Sequence, residues 1–176
     1  PAFAPPEYRV FIEKLEMPKI SPETYKFSKY AIGLLQARAH DIVPETTSWL
    51  GKKIYVQRKV PPYGNARDVI NIDNVEEYLR RAGFCFVEPS SLSPQEQIEA
   101  FKDAQVVVAK AGAALANLIY TKAGCKVIVL SSYFDGCDYD YFNNMMQALE
   151  HDLIHVVGPQ KVVPGAHPLH HKYRIY

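Results

Sequence analysis

Two arginines, one lysine and a turn of small residues carry most of the chemistry this chain has to offer. Lys110 and Gly112 fall where an apolar run (QVVVA, 105–109) ends, and Ala113 and Ala114 open the short helical stretch that follows. With no bulky side chains in the way, backbone N–H groups at the start of a helix come close to a bound anion, and the helix dipole favours negative charge there. Small residues at such a turn also let a helix lie close on a sheet, so the turn alone leaves both readings open. Arg58 ends an earlier strand-like run (KIYVQR, 53–58), and Arg67 lies in the glycine-containing loop after it. An arginine fork binds two phosphate oxygens at once, which makes the pair a candidate pyrophosphate clamp. Strand-end arginines are also often solvated or paired with surface carboxylates. Lys110, at the mouth of the turn, has little evident structural purpose and fits a point charge on a phosphate, or an electrophile.

Several familiar sites are excluded by what stands at these positions. The residues after the first strand are QRKVPPYGN, where a dinucleotide site places G-x-G-x-x-G, and no Walker loop is present. A phosphoacceptor site wants acidic strand ends, and here they are basic. Twenty Lys and Arg against nineteen Asp and Glu give a formal net charge of +1 over 176 residues, without a long run of one sign, so nucleic acid is not an expected partner. No apolar stretch approaches the length of a membrane helix, and the N-terminus lacks a signal-peptide progression. Cys85, Cys125 and Cys137 form no C-x-x-C pair, which fits reduced thiols. His167, His170 and His171 suggest a metal cluster only superficially, because Pro168 interrupts a helix there and no acidic or thiol ligand is near in sequence. No metal is expected. The chain opens at Pro1 without a methionine, which suggests a piece of a longer protein.

The elements that must position these residues follow from periodicity. Residues 1–49 read as a proline-rich leading segment and one helix, with Ser21 and Pro22 as its start and a linking role toward a further N-terminal domain. From residue 50 to 160 strands alternate with helices over short connections. The strands are expected at 53–58, 84–88, 105–109, 126–130 and 153–157. Asp73 with Glu76, and Ser93 with Glu96, mark helix starts as capping boxes, and Gly83 marks a helix end. Asp135, Asp138 and Asp140 are expected to cap the last helix. Residues 161–176 are expected to be a tail. Such alternation means an α/β fold with a doubly wound parallel sheet of about five strands, Rossmann-like, in the order 2-1-3-4-5 or the 3-2-1-4-5 type. In the first order the sheet reverses direction between strands 1 and 3, and the ligand crevice would lie at their C-terminal ends, where Arg58, Lys110 and Gly112 fall.

The ordered series IYVQR, RDVIN, GFCFVEPSSLSPQEQIEAF, DAQVVVAKAGAALANLIY and KVIVL, over about residues 52–158, resembles the C-terminal half of glycosyltransferase family 61. That resemblance implies one half of a GT-B architecture, an inverting reaction, a nucleotide-sugar donor, a glycan or protein-linked acceptor, no metal or other cofactor, and an N-terminal domain or partner chain. It implies a role of the surface-polysaccharide type and a cytoplasmic placement, free or membrane-peripheral, with the secretory-pathway lumen as the alternative. Carried over by position, Arg58, Arg67, Lys110 and the turn of Gly112, Ala113 and Ala114 would hold the diphosphate. Asn71, Glu96, Gln97, Leu115 and Asn117 match further motif positions; Gln97 and Asn117 are equally suited to bracing loops. The family usually has histidine where Lys110 stands, and often an acidic residue where Val129 stands. A ribose contact would then come from Ser131, Ser132 or backbone. No catalytic base is assignable; Lys110 is a candidate catalytic residue, with Asp135, Asp138 and Asp140 as secondary ones, and a non-catalytic binding or assembly module is the alternative to an enzyme.

Overall fold

The computed structural model describes residues 27–43, 50–58, 68–137, 139–165, 167–168 and 171–176. Six strands form one sheet: β1 (Lys53–Val56), β2 (Cys85–Val87), β3 (Val106–Lys110), β4 (Lys126–Tyr133), β5 (Asp152–Lys161) and β6 (Lys172–Tyr173). Their order is β2-β1-β3-β4-β5-β6, parallel through β5, with β6 antiparallel. The sheet is thus the first of the two expected arrangements, 2-1-3-4-5, plus a sixth strand. Continuous runs such as residues 106–109 are apolar on both faces because helices or chain cover both sides.

Four helical elements lie on one face: α1 (Lys29–Ile42), α3 (Pro94–Phe101), the 3-10 helix Ala113–Tyr120 and α4 (Asp140–Leu149). Their buried residues Ile32, Phe101, Leu118 and Met146 join Ile54, Val107 and Val127 in one core. The other face carries α2 (Ile72–Arg81) and the C-terminal segment, where Leu79 and Tyr173 pack on Tyr55, Val108 and Leu130.

Local signals explain most boundaries. Ser93 and Glu96 form the expected capping box of α3, with bonds of 3.3 and 2.7 Å. Gly83 ends α2 at φ +79°, a conformation that favours glycine. Other starts differ from expectation. The cap of α1 is Ser28, whose Oγ accepts from the Ala31 N–H; Ser21 and Pro22 lie outside the described residues. Asn71 precedes α2, so Asp73 sits in the first turn and no capping box forms there. Tyr139 precedes α4; Asp135 lies in an earlier turn, and Asp138 is outside the described residues.

The stretch after Gly112 winds with three residues per turn because its buried positions repeat every three: Leu115, Leu118 and then Thr121 are each about 1 % exposed or less. The strands also run differently. β4 continues to Tyr133, so Ser131 and Ser132 are inside a strand, where a loop was expected. Of the residues expected to be a tail, Tyr173 is 2 % exposed and its hydroxyl donates to the Leu130 carbonyl at 2.8 Å. Asn71 receives the Ile175 N–H at 3.1 Å and donates to the Ile175 carbonyl at 2.6 Å. The segment passes so close to β5 that a Cβ on Gly158 would stand 1.8 Å from the Arg174 carbonyl oxygen.

Candidate functional site

Lys110 is the last residue of β3 and Arg58 lies two residues past β1, so the reversal of strand order brings them to one edge. They line a cavity of about 430 Å³ together with Lys161, Lys172, Asp68 and Glu76. Val69, Ile70 and Ile72 supply its apolar wall. The Arg58 guanidinium also reaches the glycine turn: its Nη1 is 3.6 Å from where a Gly112 Cβ would be. A Cβ at 112 would sit in ordinary van der Waals contact with the arginine, so the turn and the Arg58 side chain are immediate neighbours. Arg58, Lys110 and Gly112, placed together by topology and motif, are together in space.

Lys110 is only 8 % exposed, and Asp68 Oδ1 lies 3.9 Å from its ammonium group. The expectation that this cation has little structural purpose is thus corrected, because it has a carboxylate neighbour within the cavity. Burial pushes the Lys110 ammonium below its ordinary range; Asp68 opposes that shift, Arg58 reinforces it and Glu76 opposes it. A further anion in the cavity would hold the proton on more firmly, so the site favours negatively charged ligands. Glu76 is engaged elsewhere, with Arg80 at 3.0 Å and the Gln57 amide at 3.4 Å. Asp68 is shared, its other oxygen being 3.7 Å from Lys172. No carboxylate among the described residues pairs with Arg58 or Lys161.

The remaining candidates separate. Arg67 is outside the described residues, although Asp68, next to it in sequence, is a wall of the cavity. Ala113, Ala114, Asn117, Ser131 and Ser132 do not line it. Asn117 donates to the Ala114 carbonyl at 3.3 Å within its own helix. Ser131 is 5 % exposed with an unpartnered Oγ, and the Ser132 carbonyl accepts from the Tyr139 hydroxyl at 2.7 Å. Gln97 braces the chain before α3 through the Leu92 carbonyl at 3.1 Å, and Asn71 holds the C-terminal segment. Val129 is fully buried, facing the helices. His171 is also buried, with its Nδ1 3.2 Å from Gln160 Oε1.

Asp68, Lys161 and Lys172 were not singled out from the sequence. The alternation in KYRIY, with Tyr173 and Ile175 packed inward, was the available signal for a last strand that would bring Lys172 to the site.

The profile of the family described as Glycosyltransferase 61 matches residues 1–128. The chain therefore belongs to glycosyltransferase family 61. The matched span starts well before the motif series and includes β1, β2, β3 and the glycine turn, stopping at Ile128 within β4. Lys161 and Lys172 lie beyond it. No curated protein matches the chain. Among the described residues no helix is long and apolar enough to cross a membrane.

Proposed function

We propose that this glycosyltransferase-family domain binds the diphosphate of a nucleotide-sugar and forms the donor half of an inverting enzyme. The observation that supports this most is the cavity at the reversal of strand order, where Arg58 and Lys110 meet the glycine turn. Open α/β sheets bind ligands at such a reversal. Cations fixed before the reaction stabilise charge as it develops, with no reorganisation at the moment of bond cleavage.

In this reading an acceptor hydroxyl gives its proton to a base and its oxygen attacks the anomeric carbon. The bond from that carbon to the diphosphate oxygen breaks, and the departing diphosphate takes the electron pair. Arg58 and Lys110 neutralise it, with the Arg58 guanidinium beside the Gly112 turn. Side-chain cations supply this charge, so the reading calls on no metal. The base belongs to the other half of a GT-B-type enzyme, an N-terminal domain or partner chain, which also carries the glycan acceptor. The chain alone then binds donor without turning it over. A surface-polysaccharide role in the cytoplasm, at or near a membrane, fits this chemistry.

A calorimetric screen against UDP-, GDP-, CMP- and dTDP-sugars tests the proposal. At least one should bind, and Arg58→Met with Lys110→Met should abolish that binding in a folded protein. No binding to any of them, or binding indifferent to both substitutions, would leave the assembly-module reading instead.

A further inference from the structure

Lys161 and Lys172 are direct partners across the antiparallel β5·β6 ladder, and both line the cavity. Like charges opposite one another in a ladder repel and weaken it. A strand whose only task was to close the sheet gains nothing from such a pair. Asp68 relieves the repulsion only in part. Its oxygens stand 3.7 Å from Lys172 and 3.9 Å from Lys110, beyond hydrogen-bond reach, so neither lysine donates a hydrogen bond to it. Lys161 has no carboxylate partner among the described residues.

β6 is nonetheless firmly held. The Tyr173 N–H donates to the Asp68 carbonyl at 2.9 Å and the Ile70 N–H donates to the Tyr173 carbonyl at 2.6 Å, which tie β6 to residues 68–70, while the Arg174 N–H donates to the Pro159 carbonyl of β5 at 3.2 Å. These bonds fix β6, and with it the two repelling ammonium groups, at the cavity that Arg58 and Lys110 also line. Four cations then face two carboxylates, of which Glu76 is already engaged by Arg80.

We propose that Lys161 and Lys172 bind the ligand's phosphate oxygens directly, as the second half of a four-cation cradle, and that the site thereby selects a diphosphate linkage over a monophosphate one. This rests on the donor-binding reading above and adds Lys161 and Lys172 to the groups that hold its diphosphate. Both lysines lie outside the span that matches the family, so the contact is a property of this chain's own C-terminal segment. An incoming phosphate takes over from Asp68 as the anion that relieves the lysine pair.

The test is calorimetric titration of the chain with inorganic pyrophosphate and with orthophosphate, alongside thermal melts. Pyrophosphate should bind about tenfold or more tighter than orthophosphate. Lys161→Met and Lys172→Met should each weaken pyrophosphate binding by about 3- to 10-fold, and the double variant more, while narrowing the preference over orthophosphate. Their melts should match or exceed the parent's, since a repelling pair has been removed. Lys126→Met, at the opposite end of β4, should change nothing. If the double variant binds as the parent does while Arg58→Met loses binding, the lysine proposal is overturned and the donor-binding reading stands. A large drop in the double variant's melt would assign the lysines a structural role and also overturn it. If the parent binds neither anion, both readings fail together.

Discussion

On the face covered by α1, α3, α4 and the 3-10 helix, Ile54, Phe101, Val107, Leu118 and Val127 have no measurable exposure. On the opposite face the apolar cluster of Tyr55, Val108 and Leu130 gives way, toward the C-terminal edge, to Lys110 and the carboxylates of Asp68 and Glu76. The same strands supply both faces, since neighbouring residues point to opposite sides. The difference therefore comes from what covers them: four helical elements on one side, one helix and a threaded chain end on the other. Helices exclude water and let side chains interdigitate. A thin cover leaves room for a polar cavity, with its walls contributed by residues distant in sequence.

Substitutions on the two faces should consequently separate stability from binding. The largest effect is expected for Phe101→Ala, which empties a fully buried site and should cost about 3–5 kcal/mol in denaturant unfolding. Arg58→Met should leave that unfolding curve nearly unchanged while removing anion binding; a comparable stability loss from both would break the contrast. Gly158→Ala comes next, because its Cβ meets the backbone of Arg174 and the C-terminal segment must shift. A cost of about 1–3 kcal/mol is expected, with weakened pyrophosphate binding as β6 moves Lys172. Tyr173→Phe loses one buried hydroxyl bond to Leu130 and should cost about 1 kcal/mol with binding largely retained.

The smallest effect expected is a pH dependence belonging to the densely packed face. Thr121 donates its hydroxyl to the Leu118 carbonyl at 2.7 Å, so it accepts from His151 Nε2 at 2.6 Å, leaving the buried Nδ1 without a partner. Burial lowers the His151 pKa below its ordinary value, against the opposing bonds to Leu118 and Glu150. The unfolded chain then binds the proton more readily than the folded one. Stability from this group is full above the unfolded pKa of about 6.5 and declines as pH falls below it toward the folded value. Melting temperatures across pH 5–8, compared with those of His151→Gln, should show a shallower acid decline in the variant. Equal slopes would assign the acid sensitivity to other groups.

What the sequence disclosed follows the distance over which each signal acts. Ser93 with Glu96, Gly83 and the β-branched runs act over a few residues, and they located α3, the end of α2 and the central strands. Handedness left two strand orders open, and the structure has the first of them, whose reversal between β1 and β3 brings Arg58 and Lys110 together near Gly112. The 3-10 helix was harder to recognise because its repeat of three, Leu115 to Leu118 to Thr121, differs only slightly from a helical spacing. β6 is two residues long, and the bonds that hold it join Asn71 to Ile175 and Tyr173 to Leu130 across long stretches of chain. Lys172 reaches the cavity only through that pairing, as Asp68 does through its bond to Tyr173. Ser131 and Ser132 were expected past a strand end; the longer β4 carries them inside it, away from the cavity.

If the edge between β1 and β3 grips a diphosphate, an NMR titration of isotope-labelled chain with UDP, GDP and dTDP shows it most directly, through the Arg58 side-chain Nε–H and the backbone amides of 110–112. For at least one nucleotide, these signals should shift together and saturate along one binding curve, with Lys126 and the α4 amides unmoved. Saturable shifts confined to the α1 and α4 side, or no saturable shift with any nucleoside diphosphate, would contradict the account.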